Sequence, residues 1–521
     1  MLIAVIFSLL ILSALASFVL KKQEVRTAYI WMLLVFVSLI LWLLILVIPK
    51  DRFTPLILND WFRFGDTSIS LRFGLTSQNW ILAIAFLAFN LAFFLTGIAR
   101  LNVRTDLQYW IFQLVFAAFS FLAILSADLW SVVLLWTALD LIELTFHLTN
   151  RREGKTYFRK LIFKFLGSMV LIWNIAALIK SGFNPLLNGL VAAPNSSLFL
   201  AALLHSGIFP LNTESENLFS DESGNLLNTA ISVTSFVVSF SLVFSLSAPE
   251  MPFIFSLLIN LISYFFIIAS LVRWVFEKNL REAIKLLLVG EAGGFVFLYF
   301  SGATQYIPYS LALIILSVLW LVLYSHHGKN LVIFPIINTF FISGLPISLI
   351  TYGSRGFIGE EFSIGLIVLI VMQVLFLVGY LKYVFEKNDK FNNLEVWYQA
   401  SYLAGLFLPL LSIAAIIFYS FFQIASEIQF WWVGLIVVTF ALIGYVYARR
   451  VYKFYESSPL ILKKKLAWFW EFQTFEWFFK SISFLEDMVK NFINGFSGLL
   501  EGEGGILWAL VLLLLMLSIL R

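Results

Sequence analysis

The sequence predicts an all-α polytopic membrane protein of about sixteen transmembrane helices, and three observations predict it. Of 521 residues, 61% are hydrophobic and only 12% are charged, with a mean hydropathy of +0.95. Soluble domains sit near about 45–50% apolar and about 25% charged. Apolar stretches of roughly 20 residues, the length that crosses a hydrocarbon core about 30 Å thick, recur along the whole chain. Basic residues then alternate between the intervening loops in the way that membrane insertion imposes.

The elements follow in order. The first stretch, LIAVIFSLLILSALASFVL, has no basic region before its apolar core and no polar mature segment after it, so it reads as a retained span. Further spans centre near residues 39, 88, 116, 138, 169, 204, 237, 264, 291, 315, 342, 373, 412, 440 and 513. With both termini on the outer side, 23 basic residues fall in inner loops and six in outer ones. The loop holding Arg151, Arg152, Lys155, Arg159 and Lys160 is the clearest inner one. A one-span error would scramble that alternation.

One long segment is not a span. From Pro459 to Leu500, Trp468, Phe472, Phe475, Phe479, Ile482, Phe492 and Phe496 recur at helical spacing, while Glu471, Glu476, Glu486 and Asp487 break any reading as a buried helix. An amphipathic helix of about 40 residues, roughly 60 Å long at 1.5 Å per residue, is expected to lie along the inner membrane surface or a partner's flank, over 454–500. A last span follows over 505–521.

Composition also excludes function classes. The net charge of +4 is too small for a nucleic-acid partner, and the absence of cysteine removes disulfides, thiolate metal sites and covalent thiol chemistry. There is no GxGxxG, GxxxxGK[ST] or HExxH motif, and no span carries two histidines placed to ligate haem, so no cofactor and no metal is expected in this chain. His326 and His327 read as loop residues.

Polar groups inside the spans carry the functional signal, because a charge at mid-bilayer is costly unless it is paired or hydrated. In DLWSVVLLWTALDLIELTFHL, Asp140, Glu143 and His147 are spaced i, i+3 and i+7 on one helical face, joined by Thr137 in a polar stripe. His147 is near enough to the loop to snorkel instead. Lys164, one turn deeper than Lys160 on the same face, either pairs with an acid of the preceding span or snorkels. Glu291 sits near the centre of its span beside Gly290, Gly293 and Gly294, which imply a close helix contact. It is either a relay group or a protonated, hydrogen-bonded carboxyl. Arg355 follows a span interrupted by Pro346 and is a relay cation or an outer-loop charge. Finally, LLHSGIFPLNTESEN places His205 just before two helix-breakers, Gly207 and Pro210, and an acidic exit.

Several stretches, taken in their order, carry a family resemblance: RKLIFKFLGSMVL, LLHSGIFPLN, NLREAIKLLLVGEAGGFVF and ISGLPISLITYGSRGF. The chain resembles the antiporter-like membrane subunits of complex I and its relatives. These are the large proton-pumping subunits of NADH:quinone oxidoreductase, the Mrp-type sodium/proton antiporter subunits, and the membrane subunits of hydrogenases and sulfur reductases. The resemblance implies two inverted five-helix repeats, each with a broken helix, near residues 105–248 and 252–386. Three N-terminal spans (1–104) and two further spans (400–452) would flank them.

It implies a subunit without catalytic chemistry of its own, in the cytoplasmic membrane, contributing to proton or sodium translocation driven by redox chemistry elsewhere. Its partners would be neighbouring membrane subunits, gripped by the lateral helix, and indirectly a hydrophilic redox arm. The family's relay uses a helix-five Glu, a helix-seven Lys, further cations on helices eight or eleven, and a Lys or Glu on helix twelve. Here Asp140 or Glu143 stands in for the first, His205 occupies the helix-seven position, and Arg355 matches the last, while helices eight and eleven are apolar or hydroxylic. The chain thus reads as a divergent member. The alternative is a degenerate scaffold that clamps the membrane arm without pumping.

Overall fold

The computed structural model describes residues 2–47, 56–64, 67–100, 106–149, 155–181, 186–187, 196–208, 222–246, 253–324, 326–327, 331–343, 345, 364–385, 389–390, 395–420 and 431–457. Apolar sequence with no external hydrogen-bond partner must satisfy its own backbone, and the expected spans fold as helices. They are α1 (Leu2–Lys22), α2 (Thr27–Val47), α3 (Ser77–Gly97), α4 (Asp106–Ile124), α5 (Leu129–Thr149), α6 (Lys155–Lys180), α7 (Ser196–His205), α8 (Glu222–Phe240), α9 (Phe253–Phe276) and α10 (Leu280–Phe300). Beyond them come α11 (Ile307–Leu313) and α12 (Leu319–Leu323), joined by a π-helical turn over Ile314–Val318, then α13 (Ile333–Ile342), α14 (Ile364–Val384), α15 (Val396–Tyr419) and α16 (Trp431–Ser457).

Twelve described helical segments are long and apolar enough to cross a membrane, with α11 and α12 counting as one, so the chain is an all-helical, multi-pass membrane protein. Three shorter apolar helices, among them α7 and α13, complete fifteen of the expected positions. The position near residue 513 and residues 458–500 of the expected lateral helix lie outside the described residues, and 454–457 form the end of α16.

α7 and α13 have ten residues each, about 15 Å, half of what a crossing needs. Gly207, just past α7, has φ +73°, a backbone region that strains any residue with a Cβ. Pro210 and Pro346 lie outside the described residues.

Met1–Phe454 forms one compact unit, and Tyr455–Arg521 forms another, of which only the end of α16 is described. In the first unit α3 and α8 are enclosed on nearly all sides, while α1, α2 and α9 keep broad apolar outer faces suited to lipid. Buried and part-buried tryptophans pin helix crossings, because an indole N–H in an apolar setting needs an acceptor. Trp31 donates to the Phe94 carbonyl (2.8 Å), Trp80 to Ile45 (3.0 Å), Trp320 to Leu406 (3.0 Å) and Trp274 to Phe376 (3.2 Å). Each bond joins two different helices.

One element departs from the all-helical expectation. β1 (Leu56–Phe64) and β2 (Thr67–Phe73) pair antiparallel from Leu56↔Phe73 to Phe64↔Thr67, with an irregularity between Leu58 and Phe62. The stretch TSISLRF alternates polar and apolar residues, the strand period that a search for 20-residue spans passes over. His326–His327 also pairs, in parallel, with Asp389–Lys390 where a loop was expected.

The hairpin is latched to the start of α5. Asp128, buried at 2% exposure, caps that helix through Ser131 N–H (2.7 Å) and accepts from the Arg72 amide (2.6 Å). Asp128→Ala removes a cap and leaves the buried Ser131 amide without its acceptor, while the Arg72 amide keeps Ser131 Oγ (3.0 Å), so a loss of about 1–3 kcal/mol is expected, read as a lowered Tm of the detergent-purified protein.

Candidate functional site

Four helices converge on one charged cluster. α5 contributes a stripe at i, i+4, i+7 and i+11: Trp136, Asp140, Glu143 and His147. α6 contributes Lys160 and Lys164, one turn apart. α7 ends at His205, and α8 presents Ser232, Ser235 and Ser239 on one face.

Glu143 is the hub. Its Oε1 lies 2.9 Å from Lys160 Nζ and its Oε2 lies 2.5 Å from Lys164 Nζ, with Glu143 and Lys164 each only 1% exposed. Lys164 also reaches Asp140 Oδ1 at 3.1 Å. His205 Nε2 stands 3.3 Å from Asp140 Oδ2, an ion-pair distance that is not aligned as a hydrogen bond. Two carboxylates thus face two ammonium groups and one imidazole, so the mutual repulsion of the acids is offset. Isolated charges at this burial would not be tolerated; matched ones are.

The α8 serines serve the cluster in register. Ser232 Oγ accepts from Lys160 (3.3 Å), Ser235 Oγ accepts from Lys164 (3.2 Å), and Ser239 Oγ lies 2.7 Å from His205 Nδ1. Ser239 donates its own proton to the Ser235 carbonyl (2.8 Å), which leaves its oxygen to accept from a proton on His205 Nδ1. His205 Nε2 then addresses Asp140, with or without a second proton. Trp136 fixes the ring from one face, stacked at 3.9 Å between centroids with 6° between planes.

Two glycines make room for this arrangement. A methyl at Gly167 on α6 would stand 2.7 Å from the His205 amide nitrogen and 2.8 Å from the Ala201 carbonyl, so Gly167 permits the close docking of α7. A methyl at Gly207 would stand 2.6 Å from Lys160 Cε, so this glycine gives the Lys160 stem its path to Glu143.

The structure gathers Asp140, Glu143, Lys164 and His205 into one site. His147 lies on the same stripe, buried at 4%, with its ring against Phe146. One alternative is resolved and two corrections apply. Lys164 is buried and ion-paired, not snorkelling. Lys160, assigned by its position to the loop, is a full member of the cluster. Thr137 leaves the stripe: it is exposed and turns its hydroxyl back to the Val133 carbonyl, and Trp136 takes its place.

Glu291 does not join the cluster. It is half-buried on α10 without a hydrogen bond or ion pair among the described residues. The close contact implied by its neighbouring glycines is present: Gly290 abuts Ser270 and Leu271 of α9, and Gly293 abuts Ile267. Arg355 lies outside the described residues. Among the described residues, no group of three or more His, Asp or Glu is placed to hold a metal ion.

No protein-family model and no curated protein matches the chain. Its fold does match solved structures. A chain of the Mrp complex from Dietzia sp. DQ12-45-1b superposes over 100% of this chain with a TM-score of 0.61 at 13% identity, and this chain spans 63% of its length. A chain of the membrane-bound sulfane sulfur reductase, an archaeal respiratory membrane complex, matches over 98% of this chain and 99% of its own, with TM-score 0.61 and 13% identity. A chain of respiratory complex I from Thermus thermophilus with bound NADH matches over 84% and 99%, with TM-score 0.57 and 15% identity. At these identities the likeness is one of fold: this chain has the fold of membrane chains found in Mrp, sulfane sulfur reductase and complex I assemblies.

Proposed function

We propose that this chain is a divergent antiporter-like membrane subunit of a multi-subunit respiratory complex related to complex I, and that it contributes to translocation of protons, or of sodium ions, driven by redox chemistry in other subunits. The observation that supports this reading best is the buried Asp140–Glu143–Lys160–Lys164–His205 cluster beside the interrupted helix α7. A merely structural core gains little from five ionisable groups, since apolar residues of similar volume are often as stabilising as a buried ion network. A relay needs them, because charge must shift between adjacent groups without any of them being left unpaired.

In this reading the chain lies in the cytoplasmic membrane with both termini outside, the inner loops carry the basic excess, and the segment 454–500 grips neighbouring subunits from the inner side. Electron donors, acceptors and their cofactors belong to other chains. Purification in mild detergent tests the assignment. The tagged chain should bring other membrane subunits and a hydrophilic redox arm, and vesicles carrying that assembly should build an ion gradient when it turns over. A chain recovered alone and fully active as a transporter would overturn it.

A further inference from the structure

Beyond the cluster, toward the end of the bundle where α5 begins and α8 ends, lies a small polar recess with room for about one water molecule. Asn79, Ser126, Ser241 and Ser245 supply its polar lining. The helical geometry relates it directly to the relay. Val132, which closes the recess on α5, is one turn from Trp136, the residue stacked on His205. Val238 on α8 and Leu242, two residues past its end, line the recess on either side of Ser239, the hydroxyl bonded to His205. Val132 and Leu242 thus line the recess one turn from Trp136 and Ser239, the two groups that contact the imidazole.

We propose that this recess is a water site forming the outlet of the cluster: a proton held on His205 leaves past Ser239 into water bound by Asn79, Ser126, Ser241 and Ser245, with Val132, Trp136 and Leu242 as the apolar partition that keeps the path closed at rest. The lining is neutral and hydroxyl-rich, which suits water and a passing proton; it has no carboxylate to hold a resident cation. The transfer makes and breaks only O–H and N–H bonds. His205 gives up one proton, a water of the recess takes one, and Asp140 remains as the counter-charge of the ring. The inference rests on the translocation reading above and adds a route and a direction to it.

The chain has no cysteine, so an introduced cysteine is the only one in this subunit, and its labelling is read on the separated subunit. Ser241→Cys and Ser245→Cys in the assembled complex are treated with a membrane-impermeant methanethiosulfonate reagent, in right-side-out and inverted vesicles. Phe236→Cys, at a fully buried α8 position, serves as the unreactive reference. The recess cysteines should react at least about tenfold faster than the reference, from the outer side only. Modification should cut ion transport several-fold from its level before treatment, beyond any effect of the same reagent on the wild-type assembly. Trp136→Ala should open the partition, seen as a passive proton leak in resting vesicles. Cysteines inert from both sides, or modified without loss of transport, would overturn the outlet. If wild-type vesicles moved no ions at all, the translocation reading would fail instead, while the labelling would still show whether the recess holds water.

Discussion

Glu143→Gln is expected to be the most damaging conservative change in the protein. It leaves the Lys160 ammonium without the carboxylate it pairs with and the Lys164 ammonium with Asp140 alone. Breaking a buried ion network by removing one partner costs about 3–5 kcal/mol, because the remaining charge keeps its desolvation penalty and loses its compensation. The Tm in detergent should fall accordingly, and coupled ion transport should be lost. Adding Lys164→Met separates the two effects. The double variant removes a matched pair, so much of the stability should return, with a coupling of about 0.5–3 kcal/mol in the cycle, while transport stays absent. Equal stability losses that simply add would contradict the geometry at Glu143.

Gly167→Ala should be nearly as severe for transport, although it touches no charge. The new methyl would meet backbone atoms of α7, not the tip of a flexible side chain, so α7 must shift as a unit. Overpacking of this kind costs about 1–3 kcal/mol. The shift also carries His205 away from Asp140, from Ser239 and from the face of Trp136. Transport should drop to the level of His205→Ala. Gly74→Ala, where the methyl meets only Ala127 Cβ at 3.8 Å, should change stability by less than about 0.5 kcal/mol and leave transport intact.

Much of the architecture was legible in the sequence because it rests on single-helix properties. Span length and hydropathy place the described helices, fifteen positions with α11 and α12 counted as one, and glycine with proline marks the spans of α7 and α13 as interrupted. The Asp140–Glu143–His147 stripe follows from helical spacing alone. Relations between helices were harder to read. Lys160 counts as a loop charge by the positive-inside rule, yet its stem runs past Gly207 to Glu143.

The serines of α8 carry no signal of their own, since membrane serines such as Ser13, Ser17 and Ser412 commonly bond a carbonyl of their own helix. Only the packed structure shows that Ser232, Ser235 and Ser239 meet Lys160, Lys164 and His205 in turn. Trp136 and Gly167 belong to the same class: each looks like ordinary span sequence until its neighbour across the interface is known. Glu291 is the opposite case. It is conspicuous in the sequence, but no hydrogen bond or ion pair ties it to the cluster.

A relay in the α5–α8 cluster requires that ions move through it. The most direct measurement is the number of ions translocated per turnover in vesicles carrying the assembled complex, compared between wild type and the variant His205→Ala plus Asp140→Asn. Assembly is verified by the subunit content, and the redox rate is recorded in the same sample. Redox turnover should continue while the ratio falls, because the imidazole and its counter-charge are removed together and Glu143 keeps its two lysines. An unchanged ratio, with assembly intact, would contradict the relay and leave the chain as a scaffold of the membrane arm.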